Sequence, residues 1–108
     1  MSDERDLVVV QYPPQQFPTS EDAHSTWDAV EPMLNEILGR AGLGQCTVVD
    51  YSSELTFISE VTDASLAVDL IRSGLDIYGY LDGAVIAVKR EGRSIITWSS
   101  SRAGEIIY

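Results

Sequence analysis

The residues that could do chemistry are few and scattered. The chain holds one cysteine, Cys46, and one histidine, His24. A thiol nucleophile needs a base within hydrogen-bond reach and a third group to orient that base. His24 lies far upstream of Cys46, and no Asn or Asp is placed to complete a triad. Cys46 opens the apolar run Cys46-Thr47-Val48-Val49, so it reads as a small hydrophobe, buried and unreactive. The serine runs Ser52-Ser53 and Ser99-Ser100-Ser101 lack the Gly-x-Ser-x-Gly turn that would expose a nucleophile. A zinc site needs three or four converging Cys, His or carboxylate ligands, and a calcium loop needs Asp at alternate positions before a glycine. Neither pattern is present. Gly39, Gly42 and Gly44 follow a helical pattern instead of opening one, so they cradle no phosphate. The expectation is a protein that is not an enzyme and uses neither metal nor cofactor.

Carboxylates are the one abundant reactive type. Asp50 and Glu54 flank a short loop, and Glu60 lies further along the next strand. A pair of neighbouring carboxylates can do acid–base work when burial raises one of them, but charge on a solvated loop is the simpler reading. Seven Lys and Arg face 17 Asp and Glu, a formal net charge of -10. Residues 1–88 carry -12 and residues 89–108 carry +2, the latter from Lys89, Arg90, Arg93 and Arg102. An acidic surface repels nucleic acid and anionic membranes and attracts basic proteins. The start, Met1-Ser2-Asp3-Glu4-Arg5-Asp6, is acidic where a secretory signal is basic. The apolar runs fall far short of a membrane span, and a lone thiol makes no internal disulfide. A cytoplasmic protein is expected.

The elements that must position these residues follow from hydrophobic periodicity. Leu7–Val10 is a β-branched run that reads as a strand buried on both faces. Residues 1–6 read as frayed, and 13–18 as a proline-rich loop with Phe17 plugging the core edge. Trp27, Val30, Leu34, Ile37, Leu38 and Ala41 recur at helical spacing. Ser25 or Asp28 is a candidate cap. Pro32 then implies a late start or a kink near Asp28. Cys46–Tyr51 and Leu55–Val61 read as a hairpin joined at Ser52-Ser53-Glu54. Thr62-Asp63 caps a second helix with the stripe Ala67, Leu70, Ile71 and Leu75, and Gly74 is a candidate terminator. Tyr78 and Tyr80 would share a face if extended and could line a pocket. Ala84–Val88 and Ser94–Trp98 form a last hairpin around Glu91-Gly92, and Glu105–Tyr108 is a tail able to dock as an edge strand. The order places residues 1–108 in a single α+β domain with the split β-α-β, ferredoxin-like arrangement. Two helices cover one face of a mostly antiparallel sheet that a C-terminal hairpin strand extends. The opposite sheet face is expected to be open.

The segments Gly42-Leu43-Gly44, Val49–Leu55 and Thr62-Asp63, with Ala67 and Leu75 behind them, resemble small acidic ferredoxin-like bacterial α/β domains akin to toxin-neutralising immunity proteins. The resemblance covers residues 27–98. Ser52 and Ser53 stand where members of that group usually have glycines. It implies a protein-binding module that neutralises a basic toxin, in one form a nuclease, by occluding its surface. Asp50, Tyr51, Glu54 and Glu60 are the expected partner-binding residues, presented together by the hairpin. The acidic helix residues Asp28, Glu31 and Glu36 form a second candidate surface. The alternative is a small-molecule-binding regulatory domain of the same fold type, acting as a homodimer; monomer and homodimer both stay open. Neither nucleic acid nor membrane is an expected partner.

Overall fold

A computed structural model describes residues 6–13, 19–51, 54–81, 83–90 and 93–99. Phe17, Ser52-Ser53, Glu91-Gly92 and the stretches 1–5 and 100–108 lie outside the described residues. The chain folds as α+β, with two helices packed on an open antiparallel sheet. The elements run β1 (Asp6–Tyr12), α1 (Ser20–Arg40), β2 (Gly44–Tyr51), β3 (Leu55–Val61), α2 (Ala64–Tyr78), β4 (Val85–Arg90) and β5 (Arg93–Ser99). The sheet order is β2-β3-β1-β4-β5, and every neighbouring pair is antiparallel.

Alternation along the strands decides which side faces the helices. Val8, Val10 and Tyr12 of β1 sit in register beside Ser59, Phe57 and Leu55 of β3. Together with Ile86 and Val88 they meet Val30, Leu34 and Leu38 of α1 and Ala67, Ile71 and Leu75 of α2. This is the main core. Tyr12 and Phe57 meet edge to face, with ring centroids 6.3 Å apart. The phenol of Tyr12 donates a 2.7 Å hydrogen bond to the Tyr80 carbonyl, tying the α2–β4 connection to the central strand.

The opposite sheet face departs from the open surface expected of it. Val9 and Ala87 are fully buried there, and Gln11, Thr56 and Val85 nearly so. Gln11 and Thr56 are cross-strand partners, and the Gln11 amide donates to the Thr56 hydroxyl at 3.0 Å. The pair satisfies two polar groups that would otherwise cost free energy in a dry interior. The β-branched run of β1 already carried this signal, because a half-exposed strand would have alternated.

Both helices differ from expectation at their ends. The cap of α1 is Thr19, whose hydroxyl accepts from the Asp22 amide at 3.2 Å, so neither Ser25 nor Asp28 begins the helix. Glu21 and Asp22 fill the first turn, where negative charge suits the helix dipole. Pro32 therefore lies inside the helix. It is exposed, as is Asp28, whose carbonyl loses its intrahelical donor; facing water, that carbonyl can be satisfied by solvent. In α2, Asp63 accepts from the Leu66 amide at 3.1 Å. Gly74 does not terminate this helix. It is buried in the interior of α2, where a side chain would collide with the Ile37 Cδ1 of α1. The true stop is Gly79, at φ 82°, with the Tyr80 amide donating back to the Leu75 carbonyl at 2.7 Å.

Candidate functional site

The hairpin does not bring its four expected residues together. Asp50 and Glu60 lie on the sheet face away from the helices, in register with Thr56 and Gln45 respectively. They are four strand positions apart along β3, or about 13 Å. Tyr51 follows Asp50 directly and so points to the helix side, where it packs against the core. Glu54 is half-buried at the turn. A strand cannot present consecutive side chains on one face, and this is the reason the set divides.

Tyr51 joins a different group. Its ring meets His24 at 6.1 Å between centroids, and His24 meets Trp27 at 5.8 Å, both edge to face. The Trp27 indole donates to a Glu31 carboxylate oxygen at 2.9 Å. Two turns further along α1, the Asn35 side chain accepts from the Cys46 amide at 2.9 Å. One flank of α1 thus runs along the edge strand β2 and occupies part of its hydrogen-bonding edge, a common defence against unwanted strand pairing. Between Cys46 and Val48 the β2–β3 register shifts, a bulge that interrupts the edge further.

Cys46 is half-buried, less enclosed than its apolar neighbours suggest. Burial pushes its thiol above the usual range, with the nearby Glu31 carboxylate acting in the same direction. The Ser59 hydroxyl opposite is fully buried and moderates the shift, although it lies outside hydrogen-bond geometry. His24 is eleven helical positions from Asn35, about 16 Å along the axis, so the imidazole does not stand by the thiol. Among the described residues, no three His, Cys, Asp or Glu side chains are grouped to hold a metal ion, and no helix is long and apolar enough to cross a membrane.

The second candidate surface, α1, is more coherent in charge. It carries Glu21, Asp22, Asp28, Glu31 and Glu36 against a single arginine, Arg40. Glu36 holds that arginine at 3.0 Å across one turn. Asp28 and Glu36 are exposed, whereas Glu31 is half-buried under Trp27. Of the three helix residues expected to bind, two reach solvent and one is committed to the tryptophan.

Beside this surface lies a concavity. Two adjoining depressions, of about 440 and 390 Å³, run between α1 and α2. Met33, Glu36 and Tyr78 line both, which makes them one trough. Tyr78 and Tyr80 both line one end of it, as their spacing suggested, although Tyr78 is helical. Ile77 is 77% exposed and Tyr78 63% exposed at the last turn of α2. Sequence reading missed Ile77, and read Tyr78 as extended, because Gly74 looked like the end of α2. The signal was Gly79, the glycine that follows the last apolar position of the helix. Compared with protein-family models, curated proteins and solved structures, the chain matches none.

Proposed function

We propose that this chain is a protein-binding domain that covers a basic surface of its partner. The observation that carries this reading is the helix layer: five carboxylates on α1 with one arginine already neutralised by Glu36, in a chain of net charge -10. Complementary charge speeds encounter and rejects wrong partners more than it adds affinity. The concrete form is an immunity protein that neutralises a basic toxin, possessing a phosphate-binding site such as a nuclease has, in the cytoplasm. The order β2-β3-β1-β4, with helices after the first and third strands, supports a split β-α-β, ferredoxin-like assignment with β5 extending the sheet. The division of the hairpin residues shifts the favoured contact surface from Asp50, Tyr51, Glu54 and Glu60 to α1.

Size-exclusion chromatography with mass detection, run on the chain expressed with its neighbouring genes, tests the reading. A monomer that elutes with a basic protein supports it. A tight homodimer carrying a small metabolite replaces it with a ligand-binding regulatory domain.

A further inference from the structure

The trough between the helices combines three properties that together specify an occupant. Its walls carry apolar side chains among polar ones: Met33 and Ile37 from α1, Ile77 and Tyr78 from α2. The exposure of Ile77 and Tyr78 leaves this apolar surface in water, an arrangement that marks interaction sites. The carboxylate shared by both halves is Glu36. The chain itself shows what that carboxylate accepts, because the Arg40 guanidinium rests on Glu36 Oε2 at 3.0 Å. An exposed pair one turn apart on a helix is weak, so Arg40 yields readily to a better-placed cation. The Tyr78 ring, which lines the trough together with Glu36, adds an aromatic face along which a guanidinium can lie.

We propose that this trough seats a cationic amphipathic segment of the partner, an apolar side chain against Ile37, Ile77 and Tyr78 and an adjacent arginine or lysine on Glu36 in place of Arg40. The inference rests on the acidic-binder reading above and names the site and the chemistry of what enters it. A second copy of this chain is the weaker occupant, because two molecules of charge -10 repel. A helix presenting leucine and arginine one turn apart matches the mixture of apolar wall and single carboxylate.

The test uses a fluorescein-labelled helical peptide of leucine and arginine at amphipathic spacing. Its comparator has the same arginines with serine in place of leucine. Binding to the full chain is read by anisotropy. Ile77→Ser and Tyr78→Ala should each weaken the leucine–arginine peptide by about tenfold or more, as loss of a central anchor does. Both residues are exposed, so the fold should hold, and circular dichroism checks it. Glu36→Gln should weaken binding, whereas Arg40→Gln should strengthen it about twofold by removing the internal competitor. That gain is the readout no general loss of structure produces. Asp50→Asn with Glu60→Gln should leave binding within about twofold. If the serine comparator binds as well as the leucine peptide and the trough variants bind like wild type, the trough is not the site, while the acidic-binder reading stands. If neither peptide binds at low salt, both readings fall. If the chain self-associates and Ile77→Ser abolishes this, a second copy is the occupant and the cationic segment is refuted.

Discussion

Gly44→Ala should be among the most damaging small substitutions in this protein. Gly44 begins β2 and sits opposite Val61 at the start of the β2–β3 ladder. A Cβ built there would lie 1.8 Å from the Glu60 carbonyl oxygen and 3.1 Å from the Val61 Cα. An ordinary carbon–oxygen contact is about 3.3 Å or more, so the backbones must part by more than about 1 Å. Both obstructing groups are main chain, and no side chain can swing aside to relieve them. Local overpacking of this kind costs roughly 1–3 kcal/mol. The displacement also pulls on Leu43, which is buried, and on the 2.9 Å bond from the Thr62 amide to the Leu43 carbonyl. Partial loss of that leucine's burial and of one hydrogen bond brings the expected cost to about 2–4 kcal/mol. The lower entropy of an alanine-containing unfolded chain returns less than about 1 kcal/mol and does not reverse the sign. Gly42→Ala is the matched control. Its φ is 69°, but a Cβ there meets nothing within 4 Å, so only the left-handed backbone penalises it, by about 1–2 kcal/mol. Thermal and urea unfolding of the two variants, side by side with wild type, make the comparison. For a domain of this size the Gly44 variant should melt on the order of 10–20 °C lower. A Gly44→Ala protein as stable as the Gly42→Ala protein would refute the close strand approach and the register of the hairpin.

Three further outcomes follow from the packing and the titrating thiol. Leu34→Ala, at a fully buried position between α1 and the sheet, should lose about 2–5 kcal/mol in denaturant titration; an unchanged midpoint would mean the helix face is wrong. Tyr12→Phe removes the hydrogen bond to the Tyr80 carbonyl and should cost about 0.5–1.5 kcal/mol or slightly more if that carbonyl stays dry, measured the same way; no loss would place the phenol in water. Cys46, with its thiol raised by burial, should react slowly with a thiol reagent at neutral pH and faster as pH rises, since only the thiolate attacks. Because the folded thiol holds its proton more tightly, its contribution to stability is complete below the unfolded thiol's pKa and is lost as pH climbs above it; stoichiometric labelling within seconds at pH 7 would contradict this.

Much of the architecture was legible in residue patterns. The apolar stripe through Val30, Leu34 and Leu38 and the Asp63 cap place two helices, and the Val8–Val10 run announces a strand buried on both faces. The boundaries were harder. Thr19 follows Pro18 and looks like loop, so the true cap of α1 was hidden. Of the two readings Pro32 allowed, a late start or a kink near Asp28, the late start is not taken because Pro32 is exposed within the helix, which has no signature in sequence. Gly74 reads as a helix stop in isolation; only the packing of Ile37 over it explains a glycine within a helix. The candidate site was less legible still. Local spacing placed Asp50 and Tyr51 together, but strand geometry sends them to opposite faces. The trough joins residues of α1 and α2 that are remote in sequence, so Glu36 was legible as part of an acidic helix face but not as the centre of a groove.

The central claim is that an acidic helix layer captures a basic protein, and its signature is kinetic. The measurement is the association rate between this chain and a basic protein that copurifies with it, at low and high ionic strength, for wild type and for Asp28→Asn with Glu36→Gln. Screening shortens from about 10 Å at 0.1 M salt to about 3 Å at 1 M, so steering fades across that range. The wild-type association rate should fall steeply with salt while dissociation changes little, and the double variant should associate more slowly at low salt and respond less to added salt. An association rate indifferent to salt, or equal for wild type and variant at both ionic strengths, would contradict the account.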